Sequence, residues 1–435
     1  MFVCKFGGTS MANAATIEKV AQIIQSDERR RYVVVSAPGK RESGDIKVTD
    51  LLYKCFDEAA ATGNCSSSFS KVRARFNDIV AGLKLDLDLT DELDEIEKNI
   101  NSSLSPDYAA SRGEYLTAKI LAKKLGYDFL DAADYFKFND ERFMFHYSLD
   151  LLRPALEAHP RAVIPGFYGS HSSGYIRTFT RGGSDVSGAV VTRAASAEVY
   201  ENWTDISGFM SADPRVVENP AHIECLSYSE LRELAYMGAN VLHPESIFPV
   251  RSVGIPINIK NTFDPSHKGT MIVPNGAVPK SDNVITGIAG KKGFTIIHIE
   301  KSMMNSEVGF CRKVLSVLEY ENISFEHIPS GIDTLSIVVA DDKIANKMQN
   351  VIAKIREAVS ADHVEIHSGL SLIATVGQNM AFRLGTAATL FTALAKADVN
   401  IRMIDQGSSE LNIIVGVDTE DYEKAINAIY YAFRK

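Results

Sequence analysis

Short apolar runs alternate with longer stretches in which apolar positions recur every three to four residues. Phe2–Phe6 and Tyr32–Ser36 have the length and character of buried strands. Between them, Ile17, Val20, Ala21 and Ile24 place one apolar face on a helix over 12–26. Strand, glycine turn, helix, strand is the order of a parallel α/β sheet. The order returns further on: residues 162–165, 199–203 and 256–259 read as strands, and 185–197 as a helix of small residues. The polar, glycine-bearing segment 36–49 (SAPGKRESGDIKVT) reads as a long mobile loop. Residues 86–105 have helical spacing with an acidic, solvated face.

From Asp264 to Asn283 the pattern breaks into proline, glycine and polar residues, which predicts a domain boundary near Asn283. Beyond it the chain repeats itself. A shift of 76 positions (385 − 309 = 76) lays Met304 on Met380, Gly309 on Gly385, Leu318 on Leu394, Ile328 on Ile404 and Gly331 on Gly407. Without a gap, the same register lays Leu335 on Leu411, Ile337 on Ile413 and Val339 on Val415. Two copies of a small α+β unit follow from this.

Composition narrows the class. In 435 residues, 45% are hydrophobic and 23% charged, with a formal net charge of −9, ordinary for a globular chain of two to four domains. The acidic balance argues against general binding to nucleic acid or anionic membranes. Five cysteines without a CxxC pair read as free thiols in a reducing compartment. The N-terminus lacks the form of a signal peptide and no apolar run reaches membrane length, so the expected location is cytoplasmic.

Three motifs carry chemistry. Lys5-Phe6-Gly7-Gly8-Thr9-Ser10 ends a strand with a lysine and opens a glycine turn, where backbone N–H groups and an ammonium can meet a phosphate. The same residues also suit a plain capped turn. Neither GxxxxGK[ST] nor GxGxxG is present. Arg181-Gly182-Gly183-Ser184-Asp185 pairs a carboxylate clamp with an acceptor for an ammonium group, the two ends of an amino acid, although Ser184 or Asp185 could simply cap a helix. Thr204-Asp205, Gly208 and Asp213-Pro214-Arg215 suit a nucleotide pocket, or a set of turns. Arg112-Gly113-Glu114 and Val48-Thr49-Asp50 are smaller signals at helix starts, and His243-Pro244 reads as structural. No histidine and cysteine spacing predicts a protein-held metal.

In combination these motifs resemble those of the aspartate kinases: KFGGTS at 5–10, RGE at 112–114, PGF at 165–167 and RGGSD at 181–185. TD…G…DPR at 204–215, GANVLHP at 238–244 and NTF at 261–263 follow in the family's order, and the C-terminal repeat resembles its paired ACT domains. The resemblance covers essentially the whole chain. It implies an amino-acid-kinase fold, a mainly parallel central sheet between helical layers, over residues 1–283. It also implies two βαββαβ ACT units over 284–435, one inserted in the other: the first at about 293–367, the second made of 284–292 and 368–435.

The activity it implies is transfer of the ATP γ-phosphate to the side-chain carboxylate of L-aspartate, with Mg²⁺ on the nucleotide and a lysine or threonine effector. The site residues follow from the same resemblance. Lys5, Gly7, Gly8 and Asp185 are expected to be catalytic, with Lys5 and the N–H groups of Gly7 and Gly8 on the transferring phosphoryl group. Thr49, Glu114, Phe167, Arg181 and Ser184 would hold aspartate. Lys5, Gly8, Ser10, Thr204, Asp205, Met210, Arg215 and Asn240 would hold ATP; Asn240 and Met210 stand where the family often has lysine and tyrosine. Asn305, Ser306, Gly309, Ser330 and Asp333 would receive the effector. A homodimer through the ACT units, or a tetramer, is expected. So is a monofunctional enzyme, since no dehydrogenase follows the second repeat. Two other readings remain: a different amino-acid-kinase member, such as one acting on glutamate or carbamate, and a catalytically weak sensor that binds amino acids through its ACT units.

Overall fold

The computed structural model describes residues 1–102, 105–180, 182–239, 242 and 246–434. They form two compact units. One is Met1–Phe209, Glu224–Tyr228 and Asn240–Pro279; the other is Met210–Ile223, Ser229–Ala239 and Lys280–Lys435. The last boundary lies at 279/280, four residues before Asn283, and two stretches upstream of it, 210–223 and 229–239, belong to the second unit. Composition marks a linker; it does not mark short excursions of this kind.

The strands of the first unit are β1 (Phe2–Phe6), β2 (Arg30–Val35), β3 (Asp128–Phe129), β4 (Lys137–Phe138), β5 (Ala162–Pro165), β6 (Tyr168–His171), β7 (Ile176–Thr178), β8 (Val199–Thr204), β9 (Cys225–Ser227), β10 (Ile257–Asn261) and β11 (Thr270–Val273). Eight of them make one sheet in the order β3-β5-β2-β1-β8-β10-β11-β9, and β4, β6 and β7 make a small second sheet. Among the described pairings of the large sheet, only that of β10 with β11 is antiparallel, so β11 and β9 run against the other six strands.

The strand sequences are apolar almost throughout because both faces are covered. Cys4, Phe6, Val33, Val35 and Trp203 face a core with the helices Ala14–Gln25, Val48–Thr62, Ser66–Gly82, Thr90–Asn101 and Pro106–Leu125. Val3, Tyr32, Val34 and Ile164 face a second core with Phe145–Ala158 and Gly183–Ala194. In the acidic helix Thr90–Asn101, Leu93, Ile96 and Ile100 are buried, so its charge is confined to the outer face.

The second unit carries β12 (Gly287–Glu300), β13 (Thr334–Ala340), β14 (His363–Val376), β15 (Ile401–Asp405) and β16 (Asn412–Asp418) in the order β13-β12-β14-β16-β15, all antiparallel. The repeat is visible in it. β12 and β14 are each 14 residues long and start and end 76 positions apart (363 − 287 and 376 − 300). The helices Phe310–Tyr320 and Thr386–Lys396 obey the same shift, each capped by a glycine in the left-handed region, Gly309 (φ 84°) and Gly385 (φ 83°). Each long strand serves two cores. Ile297 and Ile299 of β12 join one around Val314 and Ile355; Ile288 joins another around Leu390 and Ile426. Cys4, Cys55 and Cys65 are buried free thiols and Cys311 an exposed one. Among the described residues no helix is long and apolar enough to cross a membrane.

Candidate active site

In the large sheet the chain leaves β1 to one side for β2 and later returns to its other side with β8. Such a reversal opens a crevice at the carboxyl ends of the strands, where α/β sheets take their ligands. Lys5 is the penultimate residue of β1 and Thr204 the last of β8. Lys5 lies on the face of Val3, toward the helix Gly183–Ala194, and its Nζ is 2.7 Å from Asp185 Oδ1 in that helix's first turn. Lys5 is only 8% exposed. The helix closes onto β8 because Gly188 has no side chain: a Cβ there would lie 2.4 Å from Tyr200 Oη.

The neighbouring strand ends complete the mouth. Gly39 N–H donates to Gly8 O at 2.8 Å, and a carbon added to Gly8 would lie 3.1 Å from Ala37 O. Ala37 in turn abuts Gly113 and gives its N–H to Glu114. Ser105 caps the helix Pro106–Leu125, which carries Glu114 in its buried middle. Burial pushes the Glu114 carboxyl up to about 8, against the N–H groups of Ala37 and Glu114 itself and the charge of Arg112. Its Oε2 is buried with no hydrogen-bond partner among the described residues. Arg112 packs against the rings of Tyr108, Tyr115 and Tyr168, a structural place. Beyond β5, Gly166 donates to Val35 O and sits against Ser184, while Phe167 takes a left-handed φ of 75° and gives its N–H to Ser187 Oγ. Thr49 is half-buried in the first turn of the helix Val48–Thr62, whose Val48 lies against Gly113.

Lys5, Gly8, Asp185, Glu114, Ser184 and Phe167 therefore stand at the carboxyl ends of β1, β2, β5 and β8 or on helices packed there. Two expected residues are otherwise engaged. The Gly7 N–H donates to Trp203 O at 3.0 Å, so the sheet takes the group that was expected on a phosphoryl oxygen. Ser10 is fully buried and its hydroxyl is 2.8 Å from Thr262 Oγ1, which ties two segments of the first unit together. Thr204 and the exposed Asp205 end β8, with Thr204 Oγ1 donating to Asp205 at 3.2 Å. Met210 and Arg215 belong to the second unit, where Arg215 is exposed and paired with Asp213 at 2.7 Å. Arg181, Asn240 and His243 lie outside the described residues.

The segment expected as a mobile loop is tied down. Arg75, buried in the helix Ser66–Gly82, reaches Asp45 at 2.7 Å and the carbonyls of Gly39 and Ile46 at 3.3 Å, and Arg41 holds the same Asp45. These partners hold the Asp45 carboxyl well below the usual range. Asn202 was missed as well: its Nδ2 donates to Asp185 Oδ1 at 2.9 Å. Two adjacent polar residues, Glu201 and Asn202, inside a buried strand were the available signal. On the other face of β8, Glu201 accepts from Arg30, Cys4 and Trp203.

In the second unit the expected effector residues come together. Asn305 N–H donates to Ile332 O and Lys301 N–H to Asp333 O. That sets the turn with Asn305, Ser306 and Gly309 beside the exposed loop of Ser330 and Asp333.

Residues 1–261 match the amino acid kinase family, and residues 373–433 match an ACT domain. Over its full length the chain is 37% identical to aspartokinase 3 of Bacillus subtilis, covering 98% of that protein. Its structure is similar to that of Clostridium acetobutylicum aspartate kinase, at 51% identity and a TM-score of 0.94, with both chains fully covered. It is also similar to Escherichia coli aspartokinase III in complex with lysine and aspartate, at 26% identity and a TM-score of 0.75, again over both whole chains.

Proposed function

This chain belongs to the amino acid kinase family, within it to the aspartokinases, ATP-dependent enzymes with a carboxyl acceptor, and from that premise we propose that it phosphorylates the side-chain carboxylate of L-aspartate. The observation that carries the reading is the ammonium of Lys5 on Asp185 at the mouth between β1 and β8. The nucleophile is the substrate's own carboxylate, ionised at neutral pH with a pKa of about 4, so no general base is required. Catalysis is then positioning and charge stabilisation.

In this reading Lys5 turns from Asp185 to the transferring phosphoryl group and stabilises its charge. Asp185 orients that ammonium, and Gly8 lets the nucleotide phosphates approach the turn. Glu114, buried with an unpartnered oxygen, receives the α-ammonium of aspartate. Arg181 clamps the α-carboxylate, with Ser184, Phe167 and Thr49 bordering the substrate. Thr204 and Asp205 hold nucleotide. Mg²⁺ supplies charge neutralisation and comes with the phosphates; an ion of this kind takes one or two protein carboxylates, and Asp205 is the exposed one at the end of β8.

The second unit regulates this activity. The loops of Asn305–Gly309 and Ser330–Asp333 bind an end-product amino acid, first of all lysine, the ligand found with the Escherichia coli relative. Threonine is the second candidate. The chain works in the cytoplasm as a homodimer joined by its ACT units and makes 4-phospho-L-aspartate for the synthesis of lysine, threonine and methionine.

The test is acyl-phosphate formation from L-aspartate with ATP and Mg²⁺, trapped as the hydroxamate, with and without lysine and threonine. Turnover with aspartate and not glutamate is expected. Folded protein that binds lysine without turnover would replace this reading by that of an amino-acid sensor.

A further inference from the structure

Among the described residues the Asp185 carboxylate has two partners, and only Lys5 follows from a motif. Asn202 stands directly opposite Lys5 in the parallel register of β1 and β8. It is 4% exposed, and its Nδ2 donates to the same Asp185 oxygen that Lys5 reaches, at 2.9 Å against 2.7 Å. Its neighbour on this face, Tyr200, donates to the backbone carbonyl of Asp185 at 3.2 Å. Residues 200 and 202 thus hold the backbone and the side chain of Asp185. An amide buried in a strand is costly unless its hydrogen bonds are used.

We propose that Asn202 is a positioning residue for phosphoryl transfer, holding the Asp185 carboxylate in the one orientation that keeps Lys5 at the strand mouth. The proposal rests on Lys5 being the residue that stabilises the phosphoryl group. An apolar side chain at 202 leaves Asp185 free to rotate and to draw the ammonium away from the mouth. An aspartate adds a second charge on Lys5. Asparagine donates a hydrogen bond and adds no charge. The ionisable groups that face it are Lys5 from β1, Asp185 from the helix Gly183–Ala194 and Tyr200 from β8 itself; the Glu201–Arg30 pair lies on the opposite face.

The experiment compares full-length wild type, Asn202→Ala and Asn202→Asp in the hydroxamate assay from pH 6 to 9, with folding followed by the fluorescence of Trp203, the single tryptophan. In N202A, kcat should fall on the order of 10- to 100-fold, the size of effect that misplacement in a site produces. The KM for aspartate should stay within about threefold, because the lost interaction acts in the transition state. In N202D, one proton shared by the facing carboxylates stands in for the amide N–H at low pH. Its kcat relative to wild type should be highest at pH 6 and fall about tenfold per pH unit once that proton leaves. A kcat in N202A within about twofold of wild type overturns the proposal. So does an N202D deficit equal at every pH, which is what mere loss of packing gives; this arm decides if N202A fails to fold. A wild type inactive on aspartate overturns the kinase reading instead, before either variant is compared.

Discussion

A carboxyl group with neither solvent nor a partner for one oxygen stays protonated, and Glu114 is such a group. Its folded-state value of about 8 lies above the unfolded one, so the folded chain holds this proton more tightly. The stability it contributes is complete below pH 4.5 and is lost as pH rises toward 8. At about 1.4 kcal/mol per unit, the loss over that window is on the order of 5 kcal/mol. Glu114→Gln cannot ionise. Its melting temperature should rise relative to wild type by about 10 °C between pH 5 and 8.5; parallel curves would remove the buried acid from the account. An ammonium seated on Glu114 favours the carboxylate, so aspartate binding at pH 7 should also expel a proton, visible in calorimetry as a heat that depends on the buffer. Lys5→Ala should lower kcat on the order of 10³-fold. It should leave the fold intact, because Asn202 still holds Asp185; near-normal turnover would take Lys5 out of its role. Lys5 and Asp185 could be singled out because glycine turns flank them in sequence, whereas Glu114 was expected at a helix start and stands instead in the middle of the helix Pro106–Leu125. The contacts that engage Gly7 and Ser10 were not legible, because their partners, Trp203 and Thr262, are 196 (203 − 7) and 252 (262 − 10) positions away.

Among the elements, the two repeats differ at one informative point. In the first, Asp362 just before β14 accepts from the N–H and hydroxyl of Ser302. The shift of 76 carries Asp362 to Thr286, just before β12, and Ser302 to Gln378 (362 − 286 = 76; 378 − 302 = 76). Thr286 has no carboxylate to offer. Glu230, buried in the helix Tyr228–Tyr236, provides it instead, accepting from Thr286 Oγ1, from Gln378 N–H at 3.1 Å and from Gln378 Nε2 at 2.8 Å. Glu230→Ala should therefore cost on the order of 2 kcal/mol, since it strands three partly buried donors. Thr286→Asp alone should also destabilise, by placing a second carboxylate against Glu230. Together the two changes restore the arrangement of the first repeat, so the double variant should melt above either single one; simple addition of the two losses would refute the exchange. The repeat itself was legible because both copies keep buried apolar residues and a capping glycine at the same spacing. The Glu230 exchange was not, because the residue that completes the second copy comes from outside the repeat. The loop expected over 36–49 was incomplete in the same way: its polarity was plain, but the Arg75 that bonds to it stands in a helix that follows it, and Val48 and Thr49 open the helix Val48–Thr62.

At the scale of the whole molecule, the chain passes between its units five times, at 209/210, 223/224, 228/229, 239/240 and 279/280. The helix Tyr228–Tyr236 begins across the passage at 228/229 and ends before the one at 239/240. Strand β9 of the first unit precedes it, and the segment of the GANVLHP motif, which the family's resemblance assigns to nucleotide, follows it. Glu230 fastens this helix to the second repeat, and under the proposed regulation a change of state in that repeat would act on a segment whose two ends are covalently continuous with the first unit. The E230A/T286D variant cuts that fastening while leaving the second repeat capped from within and the loops of the first repeat untouched. Lysine should still bind it, stabilising the folded state by about 2.7 kcal/mol at a hundredfold excess over Kd and so raising the melting temperature. Inhibition should nevertheless weaken by about tenfold or more in the lysine concentration required, which corresponds to a coupling of about 1.4 kcal/mol lost. Binding and inhibition both at wild-type strength would show that the signal takes a route other than Glu230. A wild type that lysine neither stabilises nor inhibits would instead remove lysine as the effector and direct the same comparison to threonine.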